Sequence, residues 1–267
     1  MRQQKLIIYF FIMISMFLFS ACGRESGKKD NSLQYIKDKG KFIVGLDDSF
    51  PPMGFRNNKG EIVGFDIDLA KEVAKKMGVS VEFKAIEWDG IVGSLNNKDI
   101  DMIWNGLTIT EKRKDKIIFS KSYLENGQII IVNKNSSIKN KKDLKDKVVG
   151  VQMGSSSDTA LNKNKEVLNN IKEIKKYGKN TEALMDLSAN RIKAVVVDEV
   201  VGRYYISKRS NEYKVLADNF GEEEYGIGFR KKDIQLKNKI DECLDKMKKD
   251  GTMNKILKKW FGKNVEK

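Results

Sequence analysis

Short apolar runs rich in β-branched residues alternate along this chain with segments of helical periodicity. The runs KFIVGLD (41–47), QIIIV (128–132) and AVVVDEV (194–200) are typical of strands. Between the first two lies segment 60–78, in which apolar residues recur at positions i, i+3, i+4 and i+7. Strands that alternate with helices predict an α/β fold with a mostly parallel sheet. The helical face consists of Ala70, Val73, Ala74 and Met77.

Further predicted elements extend this alternation toward both ends of the chain. We predict that Asp66 caps the start of the first helix and that Gly78 ends it. Two helices are predicted at the end of the chain, and Cys243 lies on the apolar face of the first. More strands are predicted at 79–86 (with one face buried), 99–105, 148–153, 214–218 and 224–229.

The first 22 residues have the layout of an export signal. Basic residues precede an apolar run of 14 residues, which is too short to span a membrane comfortably. Small residues then lead to Cys22 and resemble a bacterial lipobox, although Phe19 stands where that pattern usually has Leu. We expect a signal peptide at 1–21 and a lipidated cysteine with a flexible tether at 22–32. The alternative is an uncleaved membrane anchor, and both interpretations place the remaining chain outside the cytoplasm.

Composition argues against several classes of function. The chain has no His and two Cys, so zinc, haem and Ser-His or Cys-His catalysis lack their usual residues. We expect no metal and no cofactor. If Cys22 carries lipid, Cys243 has no disulfide partner and is expected to be a buried thiol.

The formal net charge of +14 raises the question of nucleic-acid binding. The lysines are spread over almost every segment and are not interleaved with aromatic residues on one strip. We therefore expect no nucleic-acid partner. A basic surface suits anionic envelope polymers or lipid head groups instead.

The segment WNGLTITEKR (104–113) ends on Arg113 in a chain whose basic residues are mostly Lys. Arg presents a planar fork of N–H donors that fits a carboxylate better than Lys does. Arg113 is therefore a candidate to bind the carboxylate of a small ligand. The alternative is a solvated Arg in the charged stretch EKRKDK.

Two further segments place polar groups at strand ends. Ser155 and Ser156 follow a predicted strand and a Gly, at a predicted helix start where free N–H groups favour an anion. Simple helix capping by Ser is the alternative. Asp198 ends a buried strand, where α/β proteins usually bind ligands. It could instead cap the next helix, and Glu199 is the less favoured of the two acids.

Several blocks in one order resemble a known family. They are GKFIVGLDDSFPPMGF, GEIVGFDIDLAKEVAKKMG, WDG, WNGLTITEKR, IIFSKSYL, VVGVQMGSSS, AVVVDE and DGTMNKILKKWFG. Residues 33–263 resemble the substrate-binding proteins of polar amino acid ABC transporters, which are extracellular solute-binding proteins of family 3 with a type II periplasmic-binding fold. The resemblance implies an α/β fold of two lobes, 33–126 plus 225–263 and 127–224. Two hinge crossings join them, and the lobes close on a ligand.

The resemblance also implies a role for each matching residue. An amino acid ligand presents a carboxylate, an ammonium and a side chain, and each needs its own contacts. The implied carboxylate contacts are Arg113, Thr108, Ser155 and Ser156. The implied ammonium contacts are Asp198 and Gly106, where the missing side chain lets the backbone approach closely. The implied side-chain pocket consists of Asp47, Phe50, Trp88, Asn105 and Gln152.

The implied function is capture of a polar amino acid and delivery to the membrane permease of an ABC transporter. We expect a monomer without enzymatic activity. Asp47 and the aromatic pair Phe50 and Trp88 favour arginine or another cationic ligand, while cystine and glutamine remain alternatives. Trp104 and Asn105 depart from the Ser-rich version of their block, which leaves the ligand class open. A dehydratase-like enzyme on the same fold and a second role as an adhesin also stay open.

Overall fold

Residues 30–262, which this computed structural model describes, contain two five-stranded sheets and one three-stranded sheet. The strands are β1 (Lys41–Leu46), β2 (Ser49–Phe50), β3 (Gly54–Arg56), β4 (Ile62–Val63), β5 (Ser80–Ala85), β6 (Met102–Ile103), β7 (Ile117–Phe119), β8 (Leu124–Asn133), β9 (Val148–Gln152), β10 (Glu173–Tyr177), β11 (Ala194–Asp198), β12 (Tyr213–Tyr225) and β13 (Gly228–Arg230).

The two large sheets define two lobes. The first lobe is built on a sheet with the order β5-β1-β6-β13-β7, and the second on a sheet with the order β10-β9-β11-β8-β12. One strand in each sheet runs antiparallel to its neighbours, β13 in the first and β8 in the second. Both sheets are therefore mixed but mostly parallel, which confirms the predicted α/β class.

Helices pack against these sheets. The α-helices are α1 (Ser32–Lys39), α2 (Phe65–Met77), α3 (Ile91–Asn96), α4 (Glu111–Lys114), α5 (Ser156–Lys163), α6 (Lys165–Leu168), α7 (Asn180–Ser188), α8 (Glu199–Lys208), α9 (Ile234–Lys249) and α10 (Thr252–Phe261). Short 3₁₀-helices lie at Trp88–Gly90 and Lys141–Leu144. Within residues 30–262, no helix is both long and apolar enough to cross a bilayer.

The cores follow the apolar patterns of the sequence. Three of the four apolar residues on the predicted face of α2 are buried, and Met77 at its C-terminal end is partly buried. Every residue of β11 is buried, as expected for an apolar strand with neighbours on both edges. Cys243 is buried on the apolar face of α9, in agreement with the predicted structural thiol.

Two long antiparallel strands connect the lobes. β8 and β12 pair from Tyr225 opposite Leu124 to Tyr213 opposite Asn133. Tyr225 also bridges to Thr108 of the first lobe. The predicted crossings, near Glu125–Gln128 and Glu224–Tyr225, fall on these strands. The exact lobe limits given above stay a prediction.

Some local predictions were wrong. Asp66 does not cap α2, because its buried carboxylate binds other elements and Gly64 occupies the cap position. The predicted strands 214–218 and 224–229 are divided differently: β12 runs through the first to Tyr225, and β13 follows. Register shifts in β12 keep it paired across the intervening polar residues.

Two other predicted strands differ in length or burial. Segment 99–105 contains only the two-residue strand β6, because the chain turns at both ends to form loops. β5 lies at a sheet edge, so its apolar side is only partly buried and Ala85 is exposed. The predicted signal peptide 1–21 and the lipidation site Cys22 lie outside the described residues.

Candidate ligand-binding cleft

The predicted site residues gather where the two lobes face each other. The Thr108 hydroxyl of the first lobe lies 2.9 Å from the Ser156 hydroxyl of the second. The Asp47 carboxylate accepts a 2.7 Å hydrogen bond from the Gln152 amide of the other lobe. Asp47 follows β1 and Gln152 ends β9, so both lie at carboxyl ends of strands, where α/β proteins bind ligands.

Arg113 reaches across the cleft from the short helix α4. The Thr110 side chain accepts the Arg113 backbone N–H and so fixes the start of this helix. The guanidinium donates to the Thr108 carbonyl at 2.9 Å and to the Gly154 carbonyl of the second lobe at 3.4 Å. It also lies 5.7 Å from the centre of the Trp88 ring. Two of its five N–H donors are used by the protein, so donors remain for a carboxylate.

Two opposing effects act on the pKa of Arg113. Burial lowers the pKa of its guanidinium, and the negative charges of Asp198 and Glu223 act in the opposite direction. An Arg remains charged under such conditions because its unperturbed pKa is above 12. The cleft therefore contains a fixed cation with acids nearby.

Gly106 adopts a backbone conformation that suits glycine. Its φ is +57°, and a Cβ at this position would lie 2.9 Å from the Phe50 ring and 3.0 Å from the Tyr225 ring. The Gly106 N–H donates to the Asp66 carboxylate at 2.7 Å. This bond fixes the loop that carries the predicted ligand contacts of the first lobe.

Asp66 is a supporting residue that sequence reasoning missed. Its carboxylate is fully buried and also accepts a 3.0 Å hydrogen bond from the Tyr123 hydroxyl. Burial raises the pKa of Asp66 to about 7, and the bonds from Gly106 and Tyr123 oppose that increase. An acid at the start of a helix usually acts as a cap, so the sequence position of Asp66 suggested capping and not support of the Gly106 loop.

The two serines of the second lobe have different roles. The Ser155 hydroxyl accepts the Asp158 N–H at 3.1 Å and donates to the Gln152 carbonyl at 2.7 Å, so it caps α5. The Ser156 hydroxyl instead faces Thr108 in the cleft. The first N–H groups of α5 have no intrahelical acceptor and can bind an anion.

Asp198 is held by three donors. Its Oδ1 accepts from the Asn126 amide at 2.8 Å, the Gln128 amide at 3.0 Å and the Tyr225 hydroxyl at 2.8 Å. Asp198 does occupy the N-cap position of α8, but its side chain makes no capping hydrogen bond there and is directed to these three donors instead. The Glu199 carboxylate is paired with Arg203.

Glu223 is a cleft residue that sequence reasoning missed entirely. Its Oε1 accepts from the Thr108 hydroxyl at 2.9 Å, the Asn126 amide at 2.6 Å and the Gln128 amide at 2.8 Å. Burial, followed by the neighbouring Glu223 carboxylate, raises the pKa of Asp198 well above its usual value. Asn126 and Gln128 alternate at the start of an otherwise apolar run, which indicates a polar patch on β8 but does not identify Glu223 as its partner.

Phe50 and Trp88 form a parallel aromatic pair. Their ring planes differ by 3° and their centroids are 6.3 Å apart. Both rings are buried. Parallel aromatic faces of this kind are suitable contacts for a flat or cationic side chain.

The remaining predicted pocket residues form a network. Asp47 uses one oxygen for the Ser49 N–H and hydroxyl and the other for Gln152. The Asn105 side-chain carbonyl accepts the Asp47 N–H at 3.0 Å. Asn105 is completely buried, so it supports Asp47 from behind. Gln152 also receives a 3.0 Å bond from the Asn180 amide.

Two α/β lobes, joined by paired strands and enclosing a cleft with fixed opposite charges, define a type II periplasmic-binding protein. The chain belongs to the bacterial extracellular solute-binding proteins, family 3, whose sequence profile matches residues 42–263. The family identification confirms the predicted class of protein and its extracytoplasmic location.

Relatives with assigned ligands cover almost the whole chain. The L-cystine-binding protein TcyJ of Escherichia coli (strain K12) is 31% identical over 96% of this chain and 95% of its own length. The arginine-binding extracellular protein ArtP of Bacillus subtilis is 31% identical over 92% of this chain and 93% of its own length. A substrate-binding protein of an ABC uptake transporter from Streptococcus pneumoniae, solved with bound histidine, is 37% identical and superposes with a TM-score of 0.85. The match covers 88% of this chain and 98% of that one. These relatives bind different amino acids.

Proposed function

We propose that this protein captures a free polar L-amino acid between its lobes and delivers it to the membrane permease of an ABC transporter. The observation that carries the proposal is the placement of Arg113 and Asp198 around one cleft. Each is fixed by hydrogen bonds to the protein, and their opposite charges match the two ends of an amino acid. The relatives, two named for amino acid ligands and one solved with bound histidine, support the same function.

In this proposal the ligand carboxylate binds Arg113 and the start of α5. Thr108 faces Tyr225 as a non-hydrogen-bonded pair, so its own N–H points away from that strand. That N–H and the N–H of Ser156 are the proposed donors to the carboxylate. Ser155 acts through the helix cap.

The ligand ammonium is proposed to lie between Asp198 and the Gly106 carbonyl. When the Thr108 hydroxyl donates to Glu223 and accepts from Ser156, one lone pair is left for an N–H donor of the ligand. An ammonium has three such donors and needs three acceptors. Asp198, Gly106 and Thr108 provide that number.

We further propose that the ligand side chain is cationic, with arginine as the first candidate. Asp47, Asp198 and Glu223 outnumber Arg113 among the charged groups described above. A zwitterionic backbone adds no net charge, so a positive side chain balances the cleft best. The Phe50 and Trp88 rings suit a flat guanidinium. Cystine and glutamine remain the alternatives.

We propose binding without chemical turnover. The Asp47 carboxylate accepts hydrogen bonds on both of its oxygens, from Ser49 and from Gln152, which suits a fixed electrostatic contact more than proton transfer. The test is incubation with each bound amino acid followed by mass spectrometry. Recovery of a product would establish the dehydratase-like alternative instead.

We also propose that the mature protein is a monomer anchored to the outer face of the cell membrane by lipid on Cys22. The lipobox-like sequence before Cys22 supports the anchor. Cells fed a labelled fatty acid should label the wild-type protein and not a Cys22→Ala variant. Label on both would overturn the assignment.

Thermal melting with each common amino acid, cystine and ornithine tests the main proposal. The purified protein is first unfolded and refolded to remove any bound ligand. Ligand at about 100 times its dissociation constant should stabilise the fold by roughly 2.7 kcal/mol. A shift with arginine, lysine or ornithine alone supports a cationic ligand. A shift with cystine or glutamine would replace it, and no shift with any amino acid would overturn the function.

A further inference from the structure

Four polar side chains meet on one face of the strands that join the lobes. Asn126 and Gln128 are two residues apart on β8 and therefore point to the same side of the sheet. Glu223 of β12 lies directly opposite Asn126, and Asp198 of β11 lies directly opposite Gln128. The register of three neighbouring strands therefore brings two acids and two amides together.

The two amides hold both acids at once. The Asn126 side-chain nitrogen lies 2.8 Å from Asp198 Oδ1 and 2.6 Å from Glu223 Oε1. The Gln128 side-chain nitrogen lies 3.0 Å and 2.8 Å from the same two oxygens. These shared donors keep the carboxyl groups within hydrogen-bond reach of each other. Two carboxyl groups can form that bond only when one of them carries a proton.

The surrounding charges favour such a shared proton. Like charges this close cannot both ionise easily, and burial disfavours charge further. The other charged or titratable groups that act on the pair are the Arg113 guanidinium and the Tyr225 hydroxyl. One proton on the pair leaves a single negative charge, which the Arg113 charge balances. The empty cleft is then neutral at this position.

We propose that Glu223 is a second acid of the ammonium site, and that Asp198 and Glu223 share one proton that the ligand ammonium displaces on binding. The inference rests on the proposed function. The O–H bond of the protonated carboxyl breaks and its proton passes to a solvent base, while the ammonium keeps its N–H bonds and donates hydrogen bonds to the two carboxylates. Two carboxylates, Asp198 of β11 and Glu223 of β12, thereby contact the charged amino group of the ligand.

The first test needs no ligand. Carbon-13 NMR of the empty protein follows the side-chain carboxyl carbons of Asp198 and Glu223 between pH 4 and 9. The expected result is a coupled titration in two steps, with the second step well above the usual range of a carboxylic acid. Glu223→Gln should abolish the coupling, whereas Glu224→Gln, an exposed neighbour on the same strand, should retain it. Two independent titrations near the ordinary carboxyl values would overturn the shared proton.

The second test measures proton displacement. Calorimetric titration with the amino acid found by melting is run at several pH values, in buffers that differ in ionisation enthalpy. The wild type and Glu224→Gln should release up to one proton per ligand below the upper pKa of the pair, and progressively less as pH rises through it. Glu223→Gln should release none from this pair and bind roughly ten-fold more weakly. Asp66 contacts Gly106 and Tyr123, so any contribution from it persists in all three proteins.

The outcomes separate this inference from the proposed function. If no amino acid binds the wild type, the proposed function fails, while the NMR titration still decides whether the acid pair exists. If amino acids bind but the wild type and Glu223→Gln release equal numbers of protons, displacement is overturned and the proposed function stands. If Glu223→Gln does not fold, the wild-type proton count and its decrease with pH decide alone.

Discussion

The two lobes hold their site groups in different ways. In the first lobe, a loop carries Gly106 and Thr108, and the four-residue helix α4 that follows carries Arg113. The buried acid Asp66 supports the loop by accepting the Gly106 N–H. In the second lobe, Ser156 begins α5, and Asp198 ends β11. The first lobe thus depends on a buried charge that holds a loop, whereas the second uses the ends of regular elements.

This difference has a physical consequence. A helix start and a strand end are fixed by backbone hydrogen bonds that the fold already requires. A loop has no such ladder, so side chains must fix it, and an acid buried for that purpose loses hydration. We therefore expect the ligand contacts of the first lobe to be the more sensitive to substitution.

Replacing Arg113 by Ala removes the cation of the first lobe and should have the largest effect on binding. The ligand carboxylate would be buried without its charged partner, which costs about 3–5 kcal/mol. Calorimetry should show affinity for the amino acid reduced by more than 100-fold. Arg209→Ala is the matched control, because this Arg lies on the surface, away from the cleft contacts, and pairs with Glu212.

The fold of the Arg113→Ala variant should remain intact. Arg113 is not part of either large sheet, and its contacts lie on the cleft side. Its melting temperature without ligand should therefore stay near that of the wild type. Unchanged affinity in a folded Arg113→Ala protein would remove Arg113 from the site.

Asp66 should make stability depend on pH. Its pKa is raised to about 7 in the folded protein, against about 3.9 in an unfolded chain. Below about pH 3 both the folded and the unfolded state hold the proton, and the ionisation of Asp66 does not change the free energy of unfolding. As pH rises from 4 to 7 the unfolded state loses its proton first, so the free energy of unfolding decreases, by up to about 3 kcal/mol.

An Asp66→Asn variant isolates this effect. The Asn side-chain carbonyl can still accept the Gly106 N–H but does not ionise. Urea unfolding at several pH values should show the wild type losing stability relative to the variant between pH 4 and 7, with a constant difference above pH 8. Parallel stability curves would mean that Asp66 is not titrating in that window.

Asp198→Asn removes the fixed charge of the second lobe. The Asn side chain can still accept from Tyr225, but the ligand ammonium loses its ionic partner. A hydrogen bond to a charged group contributes about 1.5–3 kcal/mol, so affinity should decrease by roughly 30-fold in calorimetry. Glu199→Gln changes the neighbouring acid, which pairs with Arg203, and should bind normally. Equal affinities in the two variants would contradict the assignment of Asp198.

Much of this arrangement could be predicted from the sequence because it depends on local patterns. The apolar run before Asp198 predicted a buried strand, and its end placed the acid at the cleft. The Gly and Ser residues after β9 predicted the helix start in the same way. Arg113 was identified by its position in a motif.

Residues that act through tertiary contacts could not be predicted from local sequence patterns. Glu223 lies in a run of three acids, and only the register of β12 against β8 decides which of them enters the cleft. Asp66 stands at a helix start, where an acid usually serves as a cap, and its true partner Gly106 is 40 residues away. Neither assignment follows from spacing or propensity, because both depend on how distant strands and loops meet.

The contact between the lobes gives the smallest of the expected effects. Gly154 of the second lobe faces Asp89 of the first, and a Cβ at this position would lie 3.1 Å from the Asp89 Cα. Gly154→Ala should therefore hinder closure and weaken amino acid binding by about five-fold, or about 1 kcal/mol. Gly78→Ala is the control, because Gly78 has nearly the same φ, +72° against +73°, with no atom within 4 Å of its Cβ position. Both variants have the same backbone strain. Any difference between their affinities in calorimetry therefore comes from contact across the cleft. If both bind like the wild type, these two segments do not meet in the ligand-bound form, and closure depends on the ligand contacts of each lobe alone.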